Sequence, residues 1–361
     1  MTSTNPVTPN GIRHIDHASQ KLSQVKAFPD RLHVVAVLHN PLRWRSRYDH
    51  FSAFEKRVTD SGGLLYVVEV AIGDREFEVV DAANPRHLGL RSYHELWHKE
   101  RQIKLAIQHL LPNDWERVAW VDADVQFSRP DVMQETLQQL EHFHFVQMFS
   151  HAQDLGPNFE PLWTTPGFMY EWVNHGALGP APWKSKCYYD AALKPWSPFN
   201  ADFDKEWRIC HPGLAWAASR EALDYVGGIF DKSIFGSGDF VMACALVGRG
   251  DLVLSGLDPG TNEFARAVMH WQKLCETHVH RDVGFVPGMV SHFWHGRKAD
   301  RRYANRPGAV LVDLGFDPRT DIKEDSQGLY QLSTDSSDRS RRLRDTLRMF
   351  ARCRNEDCNE V

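Results

Sequence analysis

Short apolar runs alternate with amphipathic stretches through the first part of the chain. The apolar runs are rich in β-branched residues and end at polar or turn-forming residues, which is typical of strands. They predict strands at 32–38, 64–70, 118–121 and 145–148. Apolar positions at helical spacing predict helices at about 47–60, 93–111 and 130–143. This alternation predicts an α/β fold, in which helices cover both faces of a mostly parallel central sheet.

The pattern changes twice farther along the chain. Residues 151–207 show no regular period, so we expect an insertion that shapes a pocket, although its aromatic residues could also simply pack on the sheet. These aromatics are Trp163, Tyr170, Trp172, Trp183, Tyr188, Tyr189, Trp196 and Trp207. A strand of small residues at 211–218 and a helix at 219–226 follow. The turn Gly236-Ser237-Gly238-Asp239 then opens an apolar helix, which places Asp239 in its first turn.

These changes divide the chain into three predicted parts. Residues 1–30 are a polar leader that we expect to be disordered, 31–306 form the main domain, and 307–361 form a C-terminal extension. The extension carries a basic amphipathic helix. Its apolar stripe is Leu343, Leu347 and Phe350, and its basic residues are Arg339, Arg341, Arg342, Arg344, Arg348 and Arg352.

Composition narrows the class of protein. The chain has 361 residues, of which 42% are hydrophobic, and this is enough for a sizeable core. Its net charge of -5 excludes a global cationic field that would draw it to nucleic acid or anionic lipid. The six cysteines form no Cys-x-x-Cys pair, so we expect reduced thiols and a cytoplasmic location. No apolar run reaches the length of a membrane span, so we expect no membrane partner.

Asp122 and Asp124 are the strongest candidates for chemistry. They directly follow the strand at 118–121, and residues two positions apart in an extended chain project to the same side. Ligands of parallel sheets bind beyond the carboxyl ends of the strands, which is where this pair lies. Two such carboxylates form a hard oxygen site for Mg²⁺ or Mn²⁺. The alternative for the tripeptide alone is a pair of solvated turn residues.

Several motifs follow one another along the chain: a first strand with a polar loop, Lys99, the pair Asp122 and Asp124, the glycine turn at 236–239, and the histidines His292 and His295. This order resembles that of GT-A fold glycosyltransferases over roughly residues 31–300. The likeness is greatest to the β-1,4-galactosyltransferase and polypeptide N-acetylgalactosaminyltransferase type. It implies a Rossmann-like GT-A catalytic domain at 31–306, with 151–207 as an insertion on the acceptor side. It also implies transfer of a sugar from a nucleoside-diphosphate sugar, by default a UDP-sugar, to an acceptor hydroxyl.

The resemblance also implies site residues. The polar loop after the first strand, a basic residue ahead of the metal strand, a glycine near a later strand and a basic lid would bind the donor. These donor-binding residues are Asn40, Arg43, Arg45, Lys99, Asp122, Gly213, Arg297 and Lys298. Asp122, Asp124 and His295 would hold the metal ion, with His292 as the alternative histidine. A nitrogen ligand favours Mn²⁺ over Mg²⁺.

Asp239 would be the catalytic residue. It would accept the proton of the acceptor hydroxyl and so give inversion, with retention as the alternative outcome. The galactosyltransferase type has several consecutive acidic residues in this loop, whereas Asp239 stands alone. A non-catalytic protein that binds nucleotide sugars or carbohydrates on the same fold is therefore the alternative function. A zinc hydrolase is a third reading, although its candidate ligands match no common zinc spacing. They are His270, Cys275, His278, His280, His292 and His295.

A second likeness concerns the whole chain, including Asn305-Arg306 and the tail from Gly315-Phe316-Asp317-Pro318 to Gly328-Leu329-Tyr330. It resembles glycosyltransferase-like proteins of bacteria and their phages. That likeness implies a hydroxymethylated base in phage DNA as the acceptor, modified in the cytoplasm of the host cell. A glycan or a protein is the alternative acceptor. The basic C-terminal helix would then contact DNA phosphates, although a solvated cationic face is the ordinary role of such a helix.

Overall fold

The computed structural model describes residues 31–175, 210–254, 256–302, 305–333 and 337–360. The strands in these ranges are β1 (His33–His39), β2 (Leu64–Ile72), β3 (His87–Ser92), β4 (Arg117–Val121), β5 (Val125–Phe127), β6 (Phe145–Gln147), β7 (His151–Leu155), β8 (Pro161–Pro166), β9 (Ala215–Ser219), β10 (Val283–Phe285), β11 (Met289–His292), β12 (Ile322–Glu324) and β13 (Tyr330–Leu332). The main helices are α1 (Arg45–Asp49), α2 (Phe51–Asp60), α3 (Lys99–His109), α4 (Val132–Gln139), α5 (Phe168–His175), α6 (Arg220–Val226), α7 (Gly238–Leu246), α8 (Glu263–His278) and α9 (Asp338–Cys353).

The centre of the described structure is a seven-stranded sheet in the order β10-β6-β9-β4-β1-β2-β3. Neighbouring strands are parallel except at β9, which runs antiparallel to both β4 and β6. The predicted α/β fold with a mostly parallel central sheet is therefore confirmed. One half of the sheet, β3-β2-β1-β4, has the strand order of doubly wound nucleotide-binding folds, in which the direction of winding reverses between β1 and β4.

Strand β1 illustrates why helices cover both faces of this sheet. Val34 is buried in the core on one face, together with Phe54 of α2. The next residue, Val35, is buried in the core on the other face, together with Ile103 of α3. Successive side chains of a strand point to opposite faces, so the apolar run 34–38 within β1 needs cover on both faces.

A smaller sheet, in the order β5-β11-β7-β8, supports the candidate site. Strand β11 is antiparallel to β5 and parallel to β7. This register sets His292, the last residue of β11, opposite Val125 on one side and Asp154 on the other. Three segments that are far apart in sequence therefore meet next to the end of β4.

Two predicted elements differ from those observed near the start of the chain. Helix α3 begins at Lys99 and not near Tyr93, because the N–H of Trp97 donates to the carbonyl of Ile234 at 2.8 Å and holds the preceding residues in an irregular connection. Leu96 is therefore buried without being helical. Strand β3 was not predicted, because it is an edge strand that contains a glycine and polar residues and so has no apolar run.

The interpretation of 151–207 as irregular is wrong for residues 151–175, which form β7, β8 and α5. Tyr170 packs on the rings of His151 and Phe285, and Trp172 packs against the core, so these two aromatics are packing residues. Apart from Trp163, the other aromatics named for this region lie outside the described residues: Trp183, Tyr188, Tyr189, Trp196 and Trp207. The predicted leader at 1–30 lies outside the described residues too.

The predicted basic amphipathic helix is confirmed as α9. Its N-terminus is capped by Ser337, whose hydroxyl accepts from the N–H of Ser340 at 3.0 Å. The predicted apolar stripe of Leu343, Leu347 and Phe350 is buried. Acidic side chains neutralise several of the arginines, so the helix is less cationic than its sequence suggests. The ion pairs are Arg339 with Asp321, Arg341 with Asp338, Arg344 with Asp345, and Arg348 with Glu95.

Two further expectations concern the thiols and the membrane. The cysteines in the described ranges are free thiols: Cys210, Cys244, Cys275, Cys353 and Cys358. The first three are buried, as small apolar residues of the core usually are. Among the described helices, none has the length and apolarity needed to cross a membrane.

Candidate functional site

A cavity opens at the carboxyl ends of β1 and β4, where the winding of the sheet reverses. Its walls come from the end of β1, the start of α3, the turn between β4 and β5, the loop before β9 and the first turn of α7. Arg47 of α1, side chains between 292 and 301, Arg306 and Arg354 complete the walls. Doubly wound sheets bind their ligands at this position. The charged side chains of the cavity form two groups, one around Asp124 and one around Lys99.

Asp124, His292 and His295 converge at one wall of the cavity. The pairing of β5 with β11 causes this convergence, because the N–H of Phe293 donates to the carbonyl of Asp124 at 2.8 Å. Oδ2 of Asp124 lies 3.4 Å from Nε2 of His295 and 3.9 Å from Nε2 of His292, and the two Nε2 atoms are 2.9 Å apart. Neighbouring ligands of an octahedral ion with bonds of about 2.1 Å lie about 3 Å apart, so the three atoms have the spacing of a metal-ligand set.

The hydrogen bonding and charge of this group also suit a cation. His292 donates from Nδ1 to Oδ1 of Asp154 at 2.7 Å, so its Nε2 faces the other two residues. Burial lowers the pKa of His295 to about 3, so the imidazole of His295 is neutral at pH 7. Burial alone would raise the pKa of Asp124, but the two histidines and Arg47 lower it overall, so the carboxylate is ionised. Its Oδ1 has no hydrogen-bond partner among the described residues. A divalent cation therefore fits this set of one carboxylate and two imidazoles.

Asp154 lies outside the three-residue group and accepts the hydrogen bond from Nδ1 of His292. It is buried, and its carboxylate also accepts hydrogen bonds from Nζ of Lys298 at 2.6 Å and from the indole of Trp163. Burial opposes its ionisation, but Lys298 and the hydrogen bond from His292 keep the pKa of Asp154 well below its usual value. An ionised acceptor of this kind fixes the tautomer and the ring orientation of a metal-binding histidine.

We expect Asp154→Asn to weaken Mn²⁺ binding by about 10–100-fold, as the loss of such an outer partner usually does. An amide cannot replace both charge-assisted hydrogen bonds, so the ring of His292 would lose its fixed orientation. The Mn²⁺ affinity can be measured from the EPR signal of the free ion. Asp251→Asn, which alters an exposed carboxylate that pairs with Arg249 and does not line the cavity, is the control and should bind Mn²⁺ like the wild type. Equal affinity of the Asp154 variant and the control would contradict the role of Asp154.

The second group of charges surrounds Lys99, the first residue of α3. Its Nζ lies 2.6 Å from Oδ1 of Asp122, so Asp122 faces Lys99 and lies outside the three-residue group found among the described residues. Burial would lower the pKa of Lys99, but Asp122, Asp239 and Glu100 raise it overall. Glu100 is itself buried, and burial raises its pKa to about 8. Glu100 is thus the neutral member of the cluster at pH 7.

Asp239 lies in the first turn of α7, as predicted, and lines the cavity. Its Oδ1 accepts from the N–H of Phe240 at 2.8 Å. Gly213 lies directly against the other oxygen, because a Cβ at this position would be only 2.1 Å from Oδ2 of Asp239. A glycine at 213 therefore makes room for the carboxylate.

The structure brings only some of the predicted donor-binding residues to the cavity. Lys99, Asp122 and Lys298 line it, and Gly213 contacts Asp239 beside it. Three arginines do not line it and are paired at their own positions: Arg43 with Glu78, Arg45 with Asp49, and Arg297 with Asp300. Asn40 is buried and shapes the loop after β1, since its side chain makes two hydrogen bonds with the main chain of Trp44.

Several residues that line the cavity were not predicted. The basic ones are Arg47, Arg301, Arg306 and Arg354. Arg47 follows Arg43 and Arg45 in a run of alternate arginines, and the start of α1 decides which of the three turns inward. A sequence signal therefore existed for Arg47. None existed for Arg354, because it follows a surface helix at the far end of the chain.

The ligand set of the zinc-hydrolase reading is wrong. His270 is exposed on α8, Cys275 is buried in the core of the same helix, and His278 stacks on Tyr225 at 4.8 Å. In the described ranges the metal-ligand group takes only His292 and His295 from that set and adds Asp124.

The comparisons with known proteins add little to this picture. No protein-family model matches the chain, and no curated protein matches it in sequence. Among solved structures, it is similar to that of a candidate nucleotide-diphospho-sugar transferase from Desulfovibrio desulfuricans G20, with 10% identity and a TM-score of 0.28. The match covers 89% of this chain and 97% of that chain. A superposition with so low a TM-score carries no argument about function.

Proposed function

We propose that the protein is a metal-dependent glycosyltransferase that moves a sugar from a nucleoside-diphosphate sugar, by default a UDP-sugar, to an acceptor hydroxyl. The convergence of Asp124, His292 and His295 at the carboxyl end of β4 is the observation that carries this proposal. Basic side chains line the same cavity, and a diphosphate needs both a divalent cation and such partners. The order of the sequence motifs supports the same reaction.

One set of residues would bind the donor, and another would activate the acceptor. Asp124, His292 and His295 would hold the ion, and their nitrogen atoms favour Mn²⁺ over Mg²⁺. An ion held there would supply positive charge against the negative charge that develops on the leaving diphosphate. Arg47 and Lys298 also line the cavity and would bind phosphate oxygens.

Asp239 would take the proton of the acceptor hydroxyl. The acceptor oxygen forms a bond to the anomeric carbon as the bond from that carbon to the diphosphate breaks, so the sugar is inverted. Glu100, which is neutral at pH 7, avoids a further negative charge beside Asp239. Lys99 supplies a positive charge close to both groups.

We expect the wild type to be stabilised by UDP only when Mn²⁺ is present, and to release UDP slowly from a UDP-sugar without an acceptor. Asp239→Asn should keep the stabilisation and lose at least about 100-fold in turnover, the usual contribution of a general base. Thermal unfolding measures the first effect and a coupled UDP assay the second. Binding without any UDP release would instead support a non-catalytic nucleotide-sugar binding protein.

For the acceptor we propose a hydroxymethylated base in phage DNA first, and a glycan or a protein hydroxyl otherwise. The support for DNA is the sequence resemblance to glycosyltransferase-like proteins of bacteria and their phages. The ion pairs on α9 weigh against a strong phosphate contact by that helix. The salt dependence of acceptor binding distinguishes DNA from a glycan or protein acceptor. Contacts with DNA phosphates release counterions, so binding to DNA becomes weaker as the salt concentration increases.

A further inference from the structure

The residues that follow α9 are packed into the wall of the cavity. We call residues 354–358 the C-terminal segment. Arg354 is 5% exposed and lines the cavity, and the side chain of Glu356 has no exposed surface. Burying charged groups is costly unless they are paired, so the partners of these two residues indicate what the segment does.

The carboxylate of Glu356 contacts three residues of the site, which are Arg47, Arg354 and His295. It accepts from Nη2 of Arg47 at 2.8 Å, and it also contacts the Nε atoms of Arg47 and Arg354. Its Oε1 lies 3.7 Å from Nδ1 of His295, slightly beyond hydrogen-bond distance, on the side of the ring that faces away from the metal-ligand group. The buried carboxylate of Glu356 therefore faces both an arginine of the cavity and a candidate metal ligand.

Further contacts fix where the C-terminal segment lies. Gly296 has a φ of +83°, and a Cβ there would lie only 2.7 Å from the carbonyl oxygen of Asn355, so the turn after His295 and the segment are in direct contact. Three hydrogen bonds anchor the segment: from the N–H groups of Arg45 and Ser46 to Asp357 at 2.9 Å each, and from the indole of Trp294 to the carbonyl of Cys358 at 2.5 Å.

We propose that the C-terminal segment is a working wall of the metal and diphosphate site, and that Glu356 is a positioning residue that orients His295 towards the cation and Arg47 towards the diphosphate. The diphosphate half rests on the proposed function, whereas the metal half rests only on the contacts of Glu356. A ligand that binds to His295 and Arg47 in these positions stabilises the packing of the C-terminal segment against the cavity. By linkage, loss of this packing weakens the binding of the same ligand by an equal free energy.

The first test compares substitutions of Glu356 by their affinity for Mn²⁺ alone, followed by EPR. Glu356→Gln keeps the shape and removes the charge, and we expect it to lose about 10–100-fold in affinity. Glu356→Asp keeps the charge in a shorter side chain and should recover part of this loss, which a role in packing alone would not predict. Glu360→Gln, at an exposed position two residues beyond the segment, is the matched control. Wild-type affinity in Glu356→Gln, or an Asp variant no better than the Gln variant, would overturn the proposal.

The second test needs no substitution and so is independent of any folding defect in the variants. Hydrogen exchange of residues 354–360 is measured in the wild type without ligand, with Mn²⁺, and with Mn²⁺ and UDP. We expect exchange to slow by about 10-fold or more when Mn²⁺ is added. Unchanged exchange in the presence of bound ligand would overturn the coupling.

The outcomes separate this inference from the proposed function. If Mn²⁺ binds and depends on Glu356 but neither UDP nor any other nucleoside diphosphate binds, the glycosyltransferase proposal fails and the positioning role for the metal ligand stands. If UDP binds with Mn²⁺ equally well in the wild type and in Glu356→Gln, the role of Glu356 fails and the proposed function stands. If neither Mn²⁺ nor UDP binds to the wild type, both fail.

Discussion

Asp124→Asn should abolish the stabilisation of the protein by Mn²⁺ and should weaken Mn²⁺-dependent UDP binding by about 100-fold or more. The substitution removes the only carboxylate of the three-residue group, and with it the negative charge that offsets a divalent cation. An amide oxygen is a much poorer partner for such a cation than an ionised carboxylate is. Thermal unfolding with and without Mn²⁺, and calorimetric titration with UDP, measure the two effects.

The matched control for this experiment is Asp60→Asn. Asp60 lies exposed at the end of α2 and pairs with Lys56, so its loss should leave both ligand effects unchanged. Asp122→Asn provides a second comparison, because Asp122 faces Lys99 and lies outside the three-residue group among the described residues. Retention of the full Mn²⁺ effect by Asp124→Asn would exclude a metal site at this position.

Glu100→Gln should raise the free energy of unfolding at pH 8 by an amount on the order of a few kcal/mol. At pH 5 the substitution should change the free energy of unfolding little. Burial raises the pKa of Glu100 to about 8 in the folded protein, from a usual value of 4.5, even though Lys99 opposes the shift. Asp239 and Asp122, which also face it, add to the increase. Between these two values the folded protein keeps a proton that the unfolded chain releases, so the wild type loses stability as the pH rises.

Urea unfolding at pH 5, 6.5 and 8 measures this difference in the free energy of unfolding. The wild type should become less stable between pH 5 and pH 8 relative to Glu100→Gln, because glutamine needs no proton to stay neutral. Glu76→Gln, at an exposed position, is the control and should follow the wild type at every pH. Parallel pH profiles for wild type and Glu100→Gln would show that Glu100 is ionised in the folded protein.

The sequence was most informative about the central sheet. Runs such as 32–38 carry an apolar side chain on both faces, so they indicated buried parallel strands directly, and the α/β fold was confirmed. Strand β3 and the strands at 151–166 were missed because edge strands and the smaller sheet alternate with polar side chains and lack such runs. Hydrophobic periodicity records burial, and these strands are only partly buried.

The candidate site could be predicted only where its residues lie next to recognisable elements. Asp124 follows a buried strand and Asp239 opens an apolar helix, so local sequence marked both. The choice between His292 and His295 could not be made from the sequence, and in the structure both lie in the three-residue group. Asp154 and Glu356 had no local signal, because their importance comes from contacts between segments that are remote in the chain.

The register of the smaller sheet has a consequence for the order in which the protein can become active. His292 and Asp154 are 138 residues apart in the chain, and Asp124 lies still farther from His292, so these groups meet only after β11 has paired with β5 and β7. Contacts at such long range form late, since the entropy of closing the intervening loop must be overcome first. Mn²⁺ added during refolding should therefore bind only to chains in which β11 has paired with β5 and β7. Metal binding would then report a long-range step of folding, and a nascent chain that ends before β11 would be unable to capture the ion.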